Sequence, residues 1–136
     1  MNIDYRTSLD DITAEDLDGF FVGWPSAPTP ETHFKILQNS YAVSLAIDDD
    51  VERVVGFANA ISDGILAAYI PLLEVLPRWQ GRGIGTELVE QLSSQLDDLY
   101  MVDLSCDPEL ESFYQPLGFE SATAMIRRQY EHQDGQ

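Results

Sequence analysis

The sequence predicts an α/β fold of the mixed α+β kind, with a central mixed sheet of about six strands and about four helices. Three apolar runs separated by short turns predict an antiparallel meander. An amphipathic helix follows the third run, so the next strand should return parallel to that run through a right-handed βαβ crossover. The chain has 136 residues, which predicts a single domain over residues 1–130 and a frayed tail over residues 131–136.

The N-terminal part predicts one strand and two helices. Residues 3–6 fit a short edge strand. Thr13 fits the N-cap of a short helix whose first turn is acidic, where the helix dipole favours negative charge. Three prolines between residues 24 and 30 predict a loop, and Pro30 suits the first position of a second helix that runs to about Gln38.

The meander occupies residues 41–75. Strands are predicted at 41–47 and 53–61, with an acidic turn at 48–50 between them. Asp63-Gly64 is a strong hairpin signal before the third strand, residues 65–75. Because this strand is almost wholly apolar, we expect it to be central and buried on both faces.

The C-terminal half begins with the amphipathic helix, whose apolar residues recur every four positions: Ile84, Leu88, Leu92 and Leu96. A fifth strand is predicted at residues 99–104 and a short helix at residues 108–115. Gly118 ends that helix, and residues 121–130 predict a sixth strand.

The charge of the chain excludes some partners. Seven Lys and Arg oppose 24 Asp and Glu, a net charge of −17 that repels nucleic acid and anionic membranes and attracts cations. The single cysteine, Cys106, excludes an internal disulfide, and with only two histidines no metal site is expected. We expect Cys106 to be a buried side chain at a strand end. No apolar stretch reaches membrane-spanning length and the N-terminus lacks signal-peptide character, so the expected location is cytoplasmic.

The sharpest chemical signal lies where the third strand meets the amphipathic helix. Gly81, Gly83 and Gly85 alternate at the helix start, and Arg78 and Arg82 accompany them. A helix start offers unpaired N–H groups and a positive dipole end, and glycines let phosphates approach that backbone. The alternative is a tight turn with no ligand, but such a turn needs fewer glycines. The spacing fits neither a P-loop nor a dinucleotide-binding fingerprint.

Two motifs resemble those of the GNAT-type N-acetyltransferases. Gln80-Gly81-Arg82-Gly83-Ile84-Gly85 is similar to the Gln/Arg-x-x-Gly-x-Gly/Ala signature of that family. About thirty residues later, Phe113-Tyr114-Gln115-Pro116-Leu117-Gly118-Phe119 is similar to the family's Phe-Tyr-x-x-x-Gly-Phe. The predicted order of strands and helices also matches the family fold, although the first forty residues match only in outline.

The resemblance implies binding of acetyl-CoA as a cosubstrate. It places the pantetheine arm in a gap beside the third strand and the pyrophosphate on the amides of the glycine turn. Asp107 stands where the family commonly has a cofactor-contacting Asn, and its alternative is to cap the helix at Pro108. The cofactor contacts implied are Leu73, Val75, Leu76, Gln80, Gly81, Arg82, Gly83, Ile84, Gly85, Thr86 and Asp107.

The implied reaction is direct transfer of an acetyl group to a primary amine of a small, cationic molecule or of a peptide. Tyr114 matches the tyrosine that protonates the departing thiolate, with ordinary aromatic packing as the alternative. Glu74, a carboxylate within an apolar strand, is the candidate base; the alternative is that it bonds neighbouring backbone. His33 is expected on the surface.

The acceptor site is expected among aromatic residues near the N-terminus and on the third strand: Phe20, Phe21, Trp24 and Tyr69. A rival interpretation is a non-catalytic regulatory module that binds acyl-CoA with the same fold. The oligomeric state stays open, with a homodimer as one alternative.

Overall fold

The computed structural model describes all 136 residues and contains one five-stranded mixed sheet in the order β1-β2-β3-β4-β5. The strands β1 to β4 pair antiparallel in sequence, and β5 pairs parallel to β4. The predicted meander and the parallel return through a helix are therefore confirmed. The bounds of the strands are Ile3–Arg6, Ala42–Asp48, Arg53–Ser62, Ala67–Val75 and Met101–Asp103.

Three α-helices accompany the sheet: α1 (Pro30–Gln38), α2 (Ile84–Ser94) and α3 (Glu111–Tyr114). The predicted count of six strands and four helices is wrong in two places. The segment after Thr13 forms only a 3-10 turn at Ala14–Leu17, because the positive φ of Gly19 and Phe21 ends any helix there. Residues 121–130 form no strand, because no other strand pairs with them.

The core lies under β2 and β3, not under the third strand of the meander as expected. Every residue of β2 is buried, whereas five consecutive residues at the end of β4 are only half-buried. Ile65 and Leu66, predicted to begin that strand, precede it and are 80% and 52% exposed. The end of β4 is less covered because β5 pairs only with its beginning.

Helix α2 packs closely on the middle of the sheet. Leu88 and Leu92 are fully buried, and the Ser44 hydroxyl of β2 donates to the Leu88 carbonyl at 2.8 Å. A Cβ on Gly56 of β3 would lie 2.9 Å from Leu88 Cδ1, so a larger residue at this position would have to displace the buried Leu88 side chain. This contact fixes where α2 begins relative to the end of β4.

The C-terminal residues, expected to fray, contact the N-terminal half. Ser26 donates its backbone N–H to Gln133 at 3.0 Å, and the Gln136 side chain donates to Thr32 at 3.1 Å.

None of the helices combines the length and the apolar character that a bilayer crossing requires.

Candidate functional site

The strands β4 and β5 separate at one end of the sheet. They pair only from Ala67 to Tyr69, whereas β4 continues to Val75. Leu76 donates to the Val55 carbonyl at 2.8 Å, so the antiparallel alternation directs the N–H groups of Leu73 and Val75 away from β3 and into this gap. Leu73, Val75 and Leu76 are the three cofactor contacts predicted here. The first two therefore offer a free N–H group, whereas the N–H group of Leu76 is already paired with Val55.

The glycine turn lies directly beyond the end of β4. Gly81 and Gly83 have φ of +77° and +83°, and a Cβ on either would meet no atom within 4 Å. Their positive φ therefore favours glycine at both positions, and the space above them is open.

Helix α2 starts with unpaired donors. Gly83 is its N-cap and supplies no side-chain capping bond, and no group of the chain accepts from the N–H groups of Ile84, Gly85 or Thr86. The Arg82 side chain is exposed nearby, with Met1 Sδ at 3.4 Å as its only hydrogen-bond partner. Free N–H groups, the positive end of the helix and a guanidinium make this turn an anion-binding surface.

The turn is anchored to the sheet on both sides. Trp79 is buried and donates its indole N–H to the Asp48 carboxylate at 2.8 Å. This bond is the main cause that lowers the pKa of Asp48 below its usual value. Gln80 donates its side-chain amide to the Val75 carbonyl at 2.9 Å. Sequence reasoning missed Asp48, since an acidic residue before a turn usually signals only the turn.

Tyr114 is the last residue of α3. A Cβ on Gly85 would lie 3.5 Å from Phe113 Cζ, so α3 packs against the start of α2. The Tyr114 ring is 9% exposed and meets Phe113 and Phe119 edge-on, and burial raises the pKa of its phenol. No group of the chain bonds its hydroxyl, so the phenol is a neutral proton donor without a partner.

A cavity of about 430 Å³ opens beside the end of β4. Glu74 is the only ionisable residue among those that line it, and both of its carboxylate oxygens accept backbone N–H groups: from Phe21 at 2.8 Å and from Val22 at 3.2 Å. These bonds match the alternative in which Glu74 binds neighbouring backbone. The lining residues are Phe21, Val22, Trp24, Phe57, Pro71, Leu72, Leu73, Glu74, Pro77 and Gln80.

The expected aromatic acceptor wall is present in part. Phe21 and Trp24 line the large cavity, with ring centroids 4.9 Å apart. Phe20 lies instead against a smaller cavity of about 140 Å³, and Tyr69 lines neither cavity. Phe21 lines both cavities, whereas Phe20 lines only the smaller one.

His33 is fully buried, so the expectation of a surface position is wrong. Its ring lies 4.3 Å from the Phe57 centroid, and neither ring nitrogen has a hydrogen-bond partner. Burial lowers its pKa from 6.5 to about 4. His33 lies on the face of α1 that packs into the core. The proline at the helix start predicts the helix but not which of its faces is buried.

Three other predicted positions lie away from this arrangement or differ from expectation. Cys106 is exposed and not buried, because β5 ends at Asp103 and leaves it in the connection to α3. Asp107 holds the N-cap position before Pro108 but makes no side-chain capping bond. Arg78 stacks over Trp79, 5.0 Å from the ring centroid. No group of three or more His, Cys, Asp or Glu side chains is placed to hold a metal ion.

A gap where the parallel strands β4 and β5 separate, next to a glycine turn and an unpaired helix start, is the candidate site of this mixed α/β protein. Comparison with known proteins agrees. A family model described as an acetyltransferase (GNAT) domain matches residues 9–130. The chain therefore belongs to the GNAT acetyltransferase family.

Individual relatives support the same family. An uncharacterized N-acetyltransferase, ycf52, from Porphyra purpurea is 35% identical over 101 residues, which cover 72% of this chain and 58% of that protein. The chain thus spans little more than half the length of this relative. A Deinococcus radiodurans R1 protein, named as an acetyltransferase candidate, has a crystal structure with 49% identity and a TM-score of 0.93, over 97% of this chain and 92% of that one.

A more distant structure shares the fold alone. The aminoglycoside N-acetyltransferase AAC(6')-Iy, solved in complex with CoA, is 20% identical with a TM-score of 0.70, over 94% of each chain.

Proposed function

We propose that the protein is an acetyl-CoA-dependent N-acetyltransferase that acts on the primary amine of a small, cationic acceptor or of a peptide. The observation that carries the proposal is the set of unpaired backbone N–H groups that runs from the free edge of β4 to the start of α2. A single extended ligand with a diphosphate at one end fits both parts. A distant relative of the same fold binds CoA, which supports this choice of ligand.

The glycine turn would bind the pyrophosphate. The N–H groups at the start of α2 point outward without partners, and an added Cβ at Gly81 or Gly83 would fill the open space where the phosphates approach. Arg82 adds positive charge in a chain of net charge −17, so the turn is a local exception to a field that repels anions.

The free edge of β4 would bind the pantetheine arm. The amide groups of the pantetheine arm can pair with the backbone of Leu73 as a neighbouring strand would, since no strand of the sheet pairs with this part of β4. The N–H group of Val75 faces the same gap and would stabilise the oxyanion of the tetrahedral intermediate.

Two side chains would handle protons. The acceptor nitrogen forms a bond to the acetyl carbon, and the carbon–sulfur bond breaks, leaving a thiolate. Tyr114 donates its phenolic proton to that sulfur. Glu74, the only ionisable group on the cavity wall, receives the proton that the amine loses; each of its oxygens keeps a second lone pair beyond its bond to Phe21 or Val22.

The cavity would also select the acceptor. One carboxylate among aromatic and aliphatic side chains favours a cation whose remaining surface is apolar, and Trp24 is placed for contact with such a cation. The acidic surface of the protein concentrates cationic molecules around this opening.

Thermal unfolding with acetyl-CoA tests binding. Saturating ligand, at about a hundred times its dissociation constant, should stabilise the fold by about 2.7 kcal/mol. Arg82→Gln should weaken this effect, whereas Lys35→Gln, an exposed cation on α1, should not. No stabilisation of the unmodified protein would refute the proposal.

Release of CoA thiol across a panel of amines tests turnover. Tyr114→Phe should lower the rate by about 10²-fold or more, while Tyr100→Phe, at an 83% exposed position, should leave it unchanged. Glu74→Gln should lower kcat, because the variant has no carboxylate to receive the proton that the amine loses. Stabilisation by acetyl-CoA without thiol release from any amine would favour the regulatory module.

A further inference from the structure

The turn that binds Glu74, residues 19–22, has few hydrogen bonds of its own. Phe21 and Val22 donate their backbone N–H groups to the Glu74 carboxylate at 2.8 Å and 3.2 Å. The N–H groups of Gly19 and Phe20 have no partner within the chain. Gly19 and Phe21 have positive φ values of +91° and +63°, a conformation that a bulky residue such as Phe rarely adopts. Contacts from outside the turn are therefore needed to hold its shape.

Arg53 makes such a contact at the start of the turn. Its guanidinium Nη2 donates to the carbonyl of Asp18, the residue that precedes the turn. A Cβ on Gly19 would lie 3.3 Å from the same nitrogen and 3.9 Å from Leu76 Cδ2. The turn thus begins between the Arg53 side chain and the residue that follows β4. Arg53 holds one end of the turn, and the Glu74 carboxylate holds the other.

The acidic residue opposite Arg53 does not compete for its guanidinium. Arg53 at the start of β3 lies opposite Asp48 of β2, a position in which opposite charges commonly pair. Asp48 instead accepts the Trp79 indole N–H at 2.8 Å, and Arg53 forms no salt bridge. The guanidinium is therefore available to the Asp18 carbonyl. Two facing residues of one hairpin anchor the two turns of the site, Asp48 the glycine turn and Arg53 the turn that binds Glu74.

We propose that Arg53 is a positioning residue, which orients the Glu74 carboxylate by fixing the turn at residues 19–22. The inference rests on the proposed function, in which Glu74 receives the proton of the amine. Both carboxylate oxygens are bonded to the turn, so the location of the turn sets the direction of the lone pairs that remain. Arg53 does not line the large cavity and acts only through the turn. A displacement of about 1 Å in a reacting group can cost about a hundredfold in rate.

Amide hydrogen exchange tests this link without any turnover. Arg53→Met keeps a long side chain but removes every donor, and it should speed exchange at Phe21 and Val22 by about tenfold. The buried amides of α2 should stay protected, since Arg53 does not contact that helix. Unchanged exchange at Phe21 and Val22 would overturn the inference, whether or not the protein turns over. Faster exchange throughout α2 as well would overturn it too, because Arg53 would then support the whole fold.

A double-mutant cycle with Glu74→Gln tests the consequence for the reaction. Arg53→Met should lower kcat for amine acetylation by about tenfold, and calorimetry should show the same acetyl-CoA affinity as before. In the Glu74→Gln background the same substitution should have no further effect, because Arg53 acts through that carboxylate. Arg53→Lys keeps a donor at this position and should recover part of the rate. Arg127→Met, at an exposed position without a salt bridge, is the matched control and should leave kcat unchanged.

The outcomes separate this inference from the proposed function. If Glu74→Gln lowers kcat and Arg53→Met does not, the positioning role is refuted and the proposed function stands. Equal losses from Arg53→Met in both backgrounds would also refute the positioning role, since Arg53 would then act on something other than Glu74. If Glu74→Gln itself has no effect, the base assigned in the proposed function is refuted, and the positioning role is refuted with it.

Discussion

The buried His33 should make the stability of the fold depend on pH in a window of its own. Unfolding exposes the ring, so its pKa returns from about 4 to 6.5. Between these two values the unfolded chain binds a proton at His33 and the folded chain does not. The contribution of His33 to the free energy of unfolding is therefore present in full above pH 6.5 and is lost as the pH falls from 6.5 toward 4. The whole shift corresponds to about 3 kcal/mol, of which about 2 kcal/mol is lost between pH 7 and pH 5.

The substitution His33→Phe should remove this dependence. Phe keeps an aromatic ring among Phe20, Phe21 and Phe57, and it removes two ring nitrogens that have no partner. Urea denaturation at pH 7 and pH 5, at equal ionic strength, measures the difference for each protein. The unmodified protein should lose about 2 kcal/mol more than the variant over this interval. His132→Phe, a change in the exposed C-terminal turn, should behave as the unmodified protein. Equal losses in the His33→Phe variant and the unmodified protein would refute the reasoning.

Three further substitutions test the sheet and the turn. Gly56→Ala should destabilise the fold by about 1–3 kcal/mol in thermal or urea unfolding, because its Cβ would lie 2.9 Å from Leu88 Cδ1; an unchanged stability would contradict this close approach. Asp48→Asn should weaken acetyl-CoA binding, measured by calorimetry, because the charged acceptor of the Trp79 indole is lost; unchanged binding would show that the turn holds without it. Gly83→Ala should cost about 1–2 kcal/mol, because alanine rarely adopts its φ of +83°, and it should reduce acetyl-CoA affinity more than Gly23→Ala, at another positive φ; equal affinities would count against the phosphate role.

The parts of the fold that follow local patterns could be predicted from the sequence. The hairpin signal at Asp63-Gly64 and the four-residue spacing of apolar residues in α2 are local, and both elements formed. The third predicted strand begins two residues later than predicted, and its end is less buried than predicted. Its burial depends on how far β5 pairs with it. That pairing is a contact across the sequence that the strand's own composition does not encode.

The site shows the same division. The glycine turn and Tyr114 both belong to motifs that the sequence displays, and the structure places the turn directly before α2 and Tyr114 on α3. The burial of His33 and the bond between Asp48 and Trp79 could not be predicted, because each depends on packing between distant segments. The apolar strand marks the Glu74 carboxylate as unusual, but its bonds to Phe21 and Val22 join segments more than fifty residues apart and depend on the fold.

The free edge of β4 affects how the protein behaves before the proposed cosubstrate binds. In an unliganded protein, an extended segment of another chain can pair with an open strand edge, and this edge lies beside apolar side chains. The same donors that would receive the pantetheine are the ones that invite aggregation. Bound acetyl-CoA would therefore cover this edge and block its pairing with other chains. The solubility of the protein on storage should then rise with the amount of CoA supplied.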